Sequence, residues 1–268
     1  MTFTMKNFIV SVIQMNCILK DKQENLKHAG ELIKIAAGRG SDLIILPELF
    51  STGYRVEDAD VELSEPVPGQ TTLWMQQQAE KYKAYIVGGI IEKAADNKLY
   101  DTAVIAGPDN YLFKYRKMHL WGGEPPRFAH GECLEIAELP FAKAGLLICY
   151  EIGFPEQARV LAQKGAEIII YASAFGKARA HAWDIATRSR ALENGVFVIA
   201  CNRCGSDLDS DFGGLSRIVA PNAVVLAGAG SEDEAVITAA VNLDEVQKQR
   251  LAIPYLRDLN KKLKIKDI

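Results

Sequence analysis

Leu43-Ile44-Ile45-Leu46-Pro47-Glu48 is the stretch that decides the fold. Four apolar residues in a row, with no polar alternation and a proline to close them, predict a strand buried on both faces. Strands of that kind belong to α/β proteins, where helices cover the sheet. Upstream, Asp21 stands as a helix N-cap with Glu24 in capping-box position. Leu26, Ala29, Ile33 and Ala36 follow at helical spacing, and Gly38 or Gly40 ends that helix. Residues 10–13, apolar and β-branched apart from Ser11, predict the first strand.

Downstream, Met75, Ala79 and Tyr82 mark a second helix and residues 86–91 the next strand. Extended runs at 102–106 and 111–115 flank Gly107-Pro108-Asp109-Asn110, a turn composition that predicts a hairpin. Gly145-Leu146-Leu147-Ile148-Cys149 repeats the opening pattern, a buried run ended by a reactive side chain. Pro155 opens a helix with Ala158, Leu161 and Ala162. Residues 167–173 read as a strand, and 182–194 as a helix with Ile185, Ser189 and Leu192 on one face and Gly195 past its end. Strands at 196–201, 216–220, 224–227 and 235–241 follow, then a charged, amphipathic tail over 244–268. Without a linker, low-complexity segment or repeat, residues 1–268 are expected to form one α/β domain. Its sheets should be mixed, because hairpins interrupt the strand–helix–strand rhythm.

Composition narrows the functional classes. The 268 residues are 49% hydrophobic and 24% charged, ordinary for a globular protein and ample for a core. The formal net charge of −3 offers no basic footprint for nucleic acid or an anionic membrane. The apolar stretch at 8–13 ends in Gln14 without a basic flank or small-residue cleavage site, so it reads as a strand rather than a targeting segment. No apolar run has the length of a bilayer span. Five scattered cysteines, an odd number, favour free thiols and a cytoplasmic setting.

Three polar residues stand where extended runs end: Glu48, Cys149, and Lys117 in Tyr-Arg-Lys-Met-His-Leu. Ligands collect at the carboxyl ends of α/β strands. A carboxylate that takes a thiol proton, beside an ammonium that stabilises a developing oxyanion, would perform acyl transfer there. Each has a plainer reading: a solvated strand-end acid, a surface lysine, and an inert buried thiol.

Motifs weigh against the plainer readings. Leu46-Pro47-Glu48-Leu49-Phe50, with Thr52-Gly53-Tyr54 behind it, resembles the glutamate motif of the nitrilase (carbon–nitrogen hydrolase) superfamily. Tyr115-Arg116-Lys117-Met118-His119-Leu120 is similar to its lysine motif, and Ile148-Cys149-Tyr150-Glu151 with Phe154-Pro155-Glu156 to its cysteine motif. Their order and intervals are the family's. Trp183 in His-Ala-Trp, Arg190-Ala191-Leu192-Glu193-Asn194 and Ile253-Pro254 extend the resemblance over nearly the whole chain. The family's second glutamate matches Glu124 best, with Glu132 as competitor.

The resemblance implies a four-layer α-β-β-α sandwich with two mixed sheets. It also implies a homodimer or higher homo-oligomer in which the tail at 244–268 meets a neighbour. The implied reaction is hydrolysis of a non-peptide carbon–nitrogen bond through a thioester on Cys149. Glu48 moves the protons, Lys117 and the Tyr150 backbone N–H hold the oxyanion, and Glu124 positions substrate or water. No metal or organic cofactor is implied. Tyr150 stands where true nitrilases usually carry tryptophan, which leans toward an amide substrate over a nitrile. Members that bind acidic substrates place arginine shortly after the cysteine motif. This chain has Ile152-Gly153-Phe154, which points to a small, largely neutral aliphatic amide, with an N-carbamoyl amine as alternative. Tyr54, Trp121, Phe175 and Trp183 are candidate pocket walls, core packing being the equal alternative. A non-catalytic scaffold on the same fold is the reading from a different class.

Other signals carry less. Cys201-Asn202-Arg203-Cys204 lacks the further ligands of a zinc site. His119 is better explained as part of the lysine motif than as a catalytic base. Gly214-Leu215-Ser216 lacks the closing glycine of a serine elbow, and Gly228-Ala229-Gly230 the third glycine of a dinucleotide loop.

Overall fold

The apolar run at 43–46 is buried on both faces because it lies between a helical layer and a second sheet. A computed structural model describes residues 7–260. In chain order the first half comprises β1 (Asn7–Gln14), α1 (Lys22–Gly38), β2 (Leu43–Ile45), α2 (Asp60–Leu63), α3 (Gln70–Tyr82), β3 (Tyr85–Lys93), β4 (Leu99–Ala106) and β5 (Leu112–Arg116). The second half comprises β6 (Ile136–Glu138), β7 (Lys143–Ile148), α4 (Pro155–Gln163), β8 (Ile168–Ser173), α5 (Ala180–Asn194), β9 (Phe197–Asn202), β10 (Ser206–Asp207) and β11 (Ser210–Asp211). It closes with β12 (Arg217–Val219), β13 (Val225–Gly228), β14 (Ala235–Asn242), α6 (Asp244–Ala252) and α7 (Tyr255–Asp258). Short 3₁₀ turns lie at Cys149–Gly153 and Lys177–Arg179.

Two six-stranded sheets result, ordered β14-β1-β2-β3-β4-β5 and β13-β12-β9-β8-β7-β6. Each is mixed, with three parallel strands (β1, β2, β3 and β7, β8, β9) extended by antiparallel neighbours. Alternation along the strands sorts side chains between two interiors. Val10, Val12, Leu43, Ile45 and Val87 join Leu146, Ile148 and Ile170 in the core shared by the sheets. Ile13, Ile44, Leu46, Ile86 and Ile90 meet Leu26, Ala29, Ile33, Met75 and Ala79 of α1 and α3 on the opposite face. On the far side, α4 and α5 pack Ala158, Leu161, Trp183 and Ala191 into the first of these cores. The layers are therefore helices, sheet, sheet, helices.

Asp21 caps α1 as expected, its side chain accepting from Glu24 N at 3.0 Å. The hairpin about residues 107–110 pairs β4 with β5, and β3 also pairs antiparallel with β4, which the sequence reading left out. The buried face of α5 carries Trp183, Thr187, Arg190, Ala191 and Asn194, while Ile185 is 59% exposed and Ser189 and Leu192 are half-buried, because α5 seats on the sheet partly through polar side chains. Cys201 and Cys204 are buried free thiols, and Cys201 Sγ lies 3.2 Å from Ile13 O. The first part of the tail folds back on its own chain: Val246 is buried and Arg250 Nη2 donates to Ala166 O at 2.8 Å. The end of the tail, residues 261–268, lies outside the described residues. Among the described residues no helix is long and apolar enough to cross a membrane.

Candidate active site

Glu48 follows β2 at the carboxyl end of the first sheet. Leu46 N donates to Val87 O at 2.7 Å and Gly89 N to Pro47 O at 3.0 Å, so the chain stays on β3 until it turns at Leu49, φ +48°. The approach is so close that a Cβ at position 89 would stand 2.7 Å from Glu48 Cα, which requires glycine there. The Glu48 side chain is fully buried. Its Oε2 accepts from Ala174 N of the other sheet at 2.7 Å, and its Oε1 from Lys117 Nζ at 2.7 Å.

Lys117 follows β5. Its backbone N donates to Asp101 O at 2.9 Å and its carbonyl accepts from Gly131 N at 2.8 Å. Its buried ammonium donates to three carboxylates: Glu48 Oε1 at 2.7 Å, Glu124 Oε1 at 2.8 Å and Asp101 Oδ2 at 3.2 Å. Glu124 is itself fixed, accepting from the Tyr54 hydroxyl at 2.6 Å and from Trp121 N at 2.7 Å. Glu132, the competing acid, is exposed.

Cys149 follows β7 and opens a 3₁₀ turn with φ +48°, a strained conformation for a side chain-bearing residue. It is 5% exposed and in hydrogen-bonding contact with Glu48. The turn is anchored by Glu151, which is fully buried. Its Oε1 accepts from Tyr115 Oη (2.7 Å), Met118 N (2.8 Å), His119 N (3.1 Å) and Gln157 Nε2 (3.0 Å), and its Oε2 from Ile148 N (2.8 Å). One carboxylate thus ties the cysteine turn to the lysine loop. His119 stacks on Phe154 at 3.8 Å and lies 3.9 Å from Glu151, in a supporting position behind that turn.

The charges settle each other's protonation. Burial pushes the Glu48 carboxyl up, but the Lys117 charge and hydrogen bonds from Asp101, Lys117 and Cys149 outweigh it, leaving Glu48 below the usual carboxylate range. Burial pushes Lys117 down, and Glu48, Asp101 and Glu124 overcome that to hold it well above its ordinary value. Asp101 goes the other way: burial, then the neighbouring Glu48, hold its carboxyl well up in spite of Lys117. Burial and Glu48 likewise raise the Cys149 thiol, with Lys117 opposing. These effects therefore favour an ionised Glu48 beside a neutral thiol and a charged Lys117, and disfavour ionisation of Asp101. Glu48, Asp101 and Glu124 are also the acids able to hold a metal ion, their oxygens lying within 4.8 Å of one another. The Lys117 ammonium already sits within hydrogen-bonding reach of all three, where a cation would be.

A cavity of about 70 Å³ opens over Cys149. Tyr54, Trp121, Tyr150 and Phe175 line it, together with Arg179 and Phe212. Trp183 does not. It is buried behind Phe175, ring centroids 5.3 Å apart, with Nε1 donating to Leu215 O at 2.9 Å. Asp101, Arg179 and the 206–212 hairpin are parts of the site that the sequence reading missed. Asp207 fixes that hairpin, accepting from Arg203 Nη1 at 2.6 Å and from Tyr54 N at 3.0 Å. Asp101 stands one residue before the extended run expected at 102–106, and nothing in the sequence marked it or the hairpin.

The chain is similar in sequence and fold to known proteins. A family model described as carbon-nitrogen hydrolase matches residues 9–251. The chain is 37% identical over 246 residues to a protein named nitrilase from Pyrococcus abyssi, covering 90% of this chain and 92% of that one. It is 36% identical over 265 residues to omega-amidase NIT2 of Xenopus tropicalis, covering 94% and 95%. Its fold superposes on Saccharomyces cerevisiae Nit3, described as a member of branch 10 of the nitrilase superfamily, with a TM-score of 0.88 at 30% identity over 96% and 97% of the two chains. A carbon-nitrogen hydrolase from Helicobacter pylori G27 gives 0.89 at 28% identity over 95% and 96%.

Proposed function

Since the chain belongs to the carbon–nitrogen hydrolase family, we propose that it cleaves a small aliphatic amide to a carboxylic acid and ammonia through a thioester on Cys149. The observation that carries this reading is the buried Glu48 carboxylate in contact with the buried Cys149 thiol, with the Lys117 ammonium 2.7 Å from that carboxylate. A thiol held neutral is activated only as it attacks, when Glu48 takes its proton.

Cys149 Sγ bonds to the amide carbon while the carbonyl π-bond opens to an oxyanion. The Tyr150 N–H, in the first turn after β7 where helical N–H groups lack intrahelical partners, donates to that oxyanion, and the Lys117 ammonium, its three N–H groups held by Glu48, Glu124 and Asp101, stabilises it with its positive charge. The proton on Glu48 passes to the amide nitrogen, the C–N bond breaks, and ammonia leaves. Water then replaces ammonia, Glu48 takes its proton, and the hydroxide adds to the thioester carbon. The C–S bond breaks and the sulfur recovers its proton from Glu48. Glu124 has both oxygens engaged, so its part is to aim Lys117 and the Trp121 wall at the substrate.

The omega-amidase relatives and Tyr150 support an amide, and the Pyrococcus relative named nitrilase supports a nitrile as the second reading. Ammonia release across amides, ureides and nitriles, with wild type and Cys149→Ala, tests both. Amides should turn over fastest and the variant not at all. Turnover of nitriles alone would replace the first reading with the second, and a fully active variant would remove both.

A further inference from the structure

In Cys201-Asn202-Arg203-Cys204 the two thiols are buried and free, and the amide beside the first of them makes contacts that the hydrolytic cycle has not used. Asn202 is the last residue of β9 and is buried. The parallel ladder between β8 and β9 ends at the pair Ser173–Asn202, and the chain then leaves the strand. The Asn202 side chain carries the pairing onward. Its Oδ1 accepts from Phe175 N at 2.6 Å, and its Nδ2 donates to Phe175 O at 3.1 Å and to Gly214 O at 2.8 Å. This orientation of the amide sets its acceptor against an N–H and its donor against two carbonyls, and the reverse orientation satisfies none of them.

Ala174 lies inside this clamp. The peptide that carries its N–H is held by Arg203 N, which donates to Ser173 O at 3.0 Å, and the next peptide is held by Asn202 Oδ1. Ala174 N in turn donates to Glu48 Oε2 at 2.7 Å, while Lys117 Nζ donates to Glu48 Oε1 at 2.7 Å. One bond from each half of the molecule thus fixes the plane of the carboxylate that contacts the Cys149 thiol. The cavity wall depends less on Asn202. Phe175 O also accepts from Gly213 N at 2.9 Å, and the Phe175 ring packs on Trp183, centroids 5.3 Å apart. Removing Oδ1 orphans the Phe175 N–H. A buried N–H without an acceptor is costly, so the loop turns until it finds another oxygen and draws Ala174 N away from Glu48.

Resting on the amide-hydrolysis reading above, we propose that Asn202 is a positioning residue for the general base: its amide clamps residues 173–176 so that Ala174 N holds the Glu48 carboxylate against Cys149. Asn202 does not line the cavity over Cys149, and it acts through Ala174 alone. Its loss has two effects on Glu48. The carboxylate is no longer fixed in plane toward the thiol, which lowers the rate of proton transfer. A hydrogen bond to a carboxylate also favours its ionised form, so losing the Ala174 bond raises the pH at which Glu48 gives up its proton. Both effects fall on turnover rather than on substrate affinity.

Two measurements test this. The first is the pH dependence of kcat and KM for the best amide substrate in wild type, Asn202→Leu and Asn202→Asp. Asn202→Leu keeps the size of the side chain and removes both halves of the clamp. Its kcat should fall roughly 10- to 100-fold, the scale of a misplaced catalytic group, with KM within about threefold of wild type. The acid limb of its kcat profile should move to higher pH. Asn202→Asp keeps the acceptor for Phe175 N, and its carboxyl replaces the Nδ2 donor only while protonated. It should follow wild type near about pH 5 and approach Asn202→Leu near about pH 8, as the new carboxyl ionises against two carbonyl oxygens. A loss confined to KM, or an acid limb in Asn202→Leu that coincides with wild type, overturns the proposal.

The second measurement needs no turnover. Labelling of Cys149 by iodoacetamide, read by peptide mass spectrometry, should slow at least about tenfold in Asn202→Leu, since Glu48 accepts the thiol proton in that reaction too. In a Glu48→Gln background the same change should add less than about threefold, because the path from Asn202 to the thiol runs through Glu48. If no amide is hydrolysed yet this coupling holds, the hydrolysis reading fails and the clamp stands. Equal slowing in both backgrounds overturns the proposal whatever the enzyme hydrolyses. Should Asn202→Leu fail to fold, Asn202→Asp labelled near about pH 5 and about pH 8 gives the comparison on one folded protein. Labelling that keeps the same ratio to wild type at both pH values then overturns the proposal.

Discussion

Replacing Lys117 by methionine keeps the length of the side chain and removes the charge to which three buried carboxylates are tied. The Glu48, Asp101 and Glu124 oxygens lie within 4.8 Å of one another. Two unit charges at that separation repel by about 3.5 kcal/mol at an effective dielectric near 20. Without the ammonium, Glu48 and Glu124 cannot both stay ionised at that cost, and Glu48 takes up a proton. Two losses in rate then multiply. A group that stabilises the oxyanion is worth roughly 10²–10³, and a general base held in its protonated form about 10² or more. Turnover should fall by at least about 10⁴. The fold should weaken by about 3–5 kcal/mol where the carboxylates remain ionised, the cost of orphaning a buried charge.

The pH dependence carries the sign. In wild type the Glu48 carboxyl is held below its ordinary value, so its stabilising contribution is present above that value and is lost as pH falls. In Lys117→Met it would be raised, so the corresponding contribution is present at low pH and lost as pH rises. The stability gap between the two proteins should therefore be narrow near about pH 5 and wide near about pH 8 in urea denaturation. Turnover within tenfold of wild type, or a gap that does not widen with pH, refutes the reasoning.

Asp101→Asn keeps the shape of a carboxyl whose ionisation its surroundings disfavour and removes its ability to ionise. A raised folded-state pKa contributes stability below the ordinary aspartate value, about 3.9, and loses it as pH rises, so the variant should gain on wild type above that pH in urea denaturation. Its pH–rate profile should lose whatever alkaline decline Asp101 ionisation causes, and profiles that coincide with wild type would contradict the assignment. Glu151→Gln turns an acceptor oxygen into a donor facing donors, at a cost of about 2–3 kcal/mol. It should also lower kcat by displacing the Cys149 turn from the Lys117 loop. Loss of less than about 0.5 kcal/mol with an unchanged kcat would mean that Glu151 positions nothing.

Much of this architecture was legible in the sequence because its signals are local. Pro47 after an apolar run, Asp21 at a cap and Pro155 in a first turn each state their structure within a few residues. The run at 43–46 could be read as buried on both faces because it has no polar alternation, and α1 and α3 on one side and the second sheet on the other explain why. What could not be read depends on tertiary pairing. Asp101 lies within β4, where Asp between Tyr and Thr looks like any polar strand position; its burial comes from the return of the chain through β5 to Lys117. The buried face of α5 was missed because its stripe mixes Trp183 and Ala191 with Thr187, Arg190 and Asn194, while Ile185 points outward. Arg179 was invisible because its place on the cavity wall rests on rings brought from residues 121 and 175. The 206–212 hairpin depends on Asp207 reaching Tyr54 N, a contact across more than half the chain.

The central claim is that Cys149 carries the acyl group between the two halves of the reaction. The direct measurement is the mass of the Cys149 peptide in enzyme quenched with acid while turning over a saturating amide substrate. The account predicts an adduct equal to the amide minus ammonia, confined to that peptide and released by hydroxylamine as a thioester is. Ammonia release by Cys149→Ala at the wild-type rate, or an acyl adduct mapped to the exposed Cys133 in place of Cys149, would contradict it.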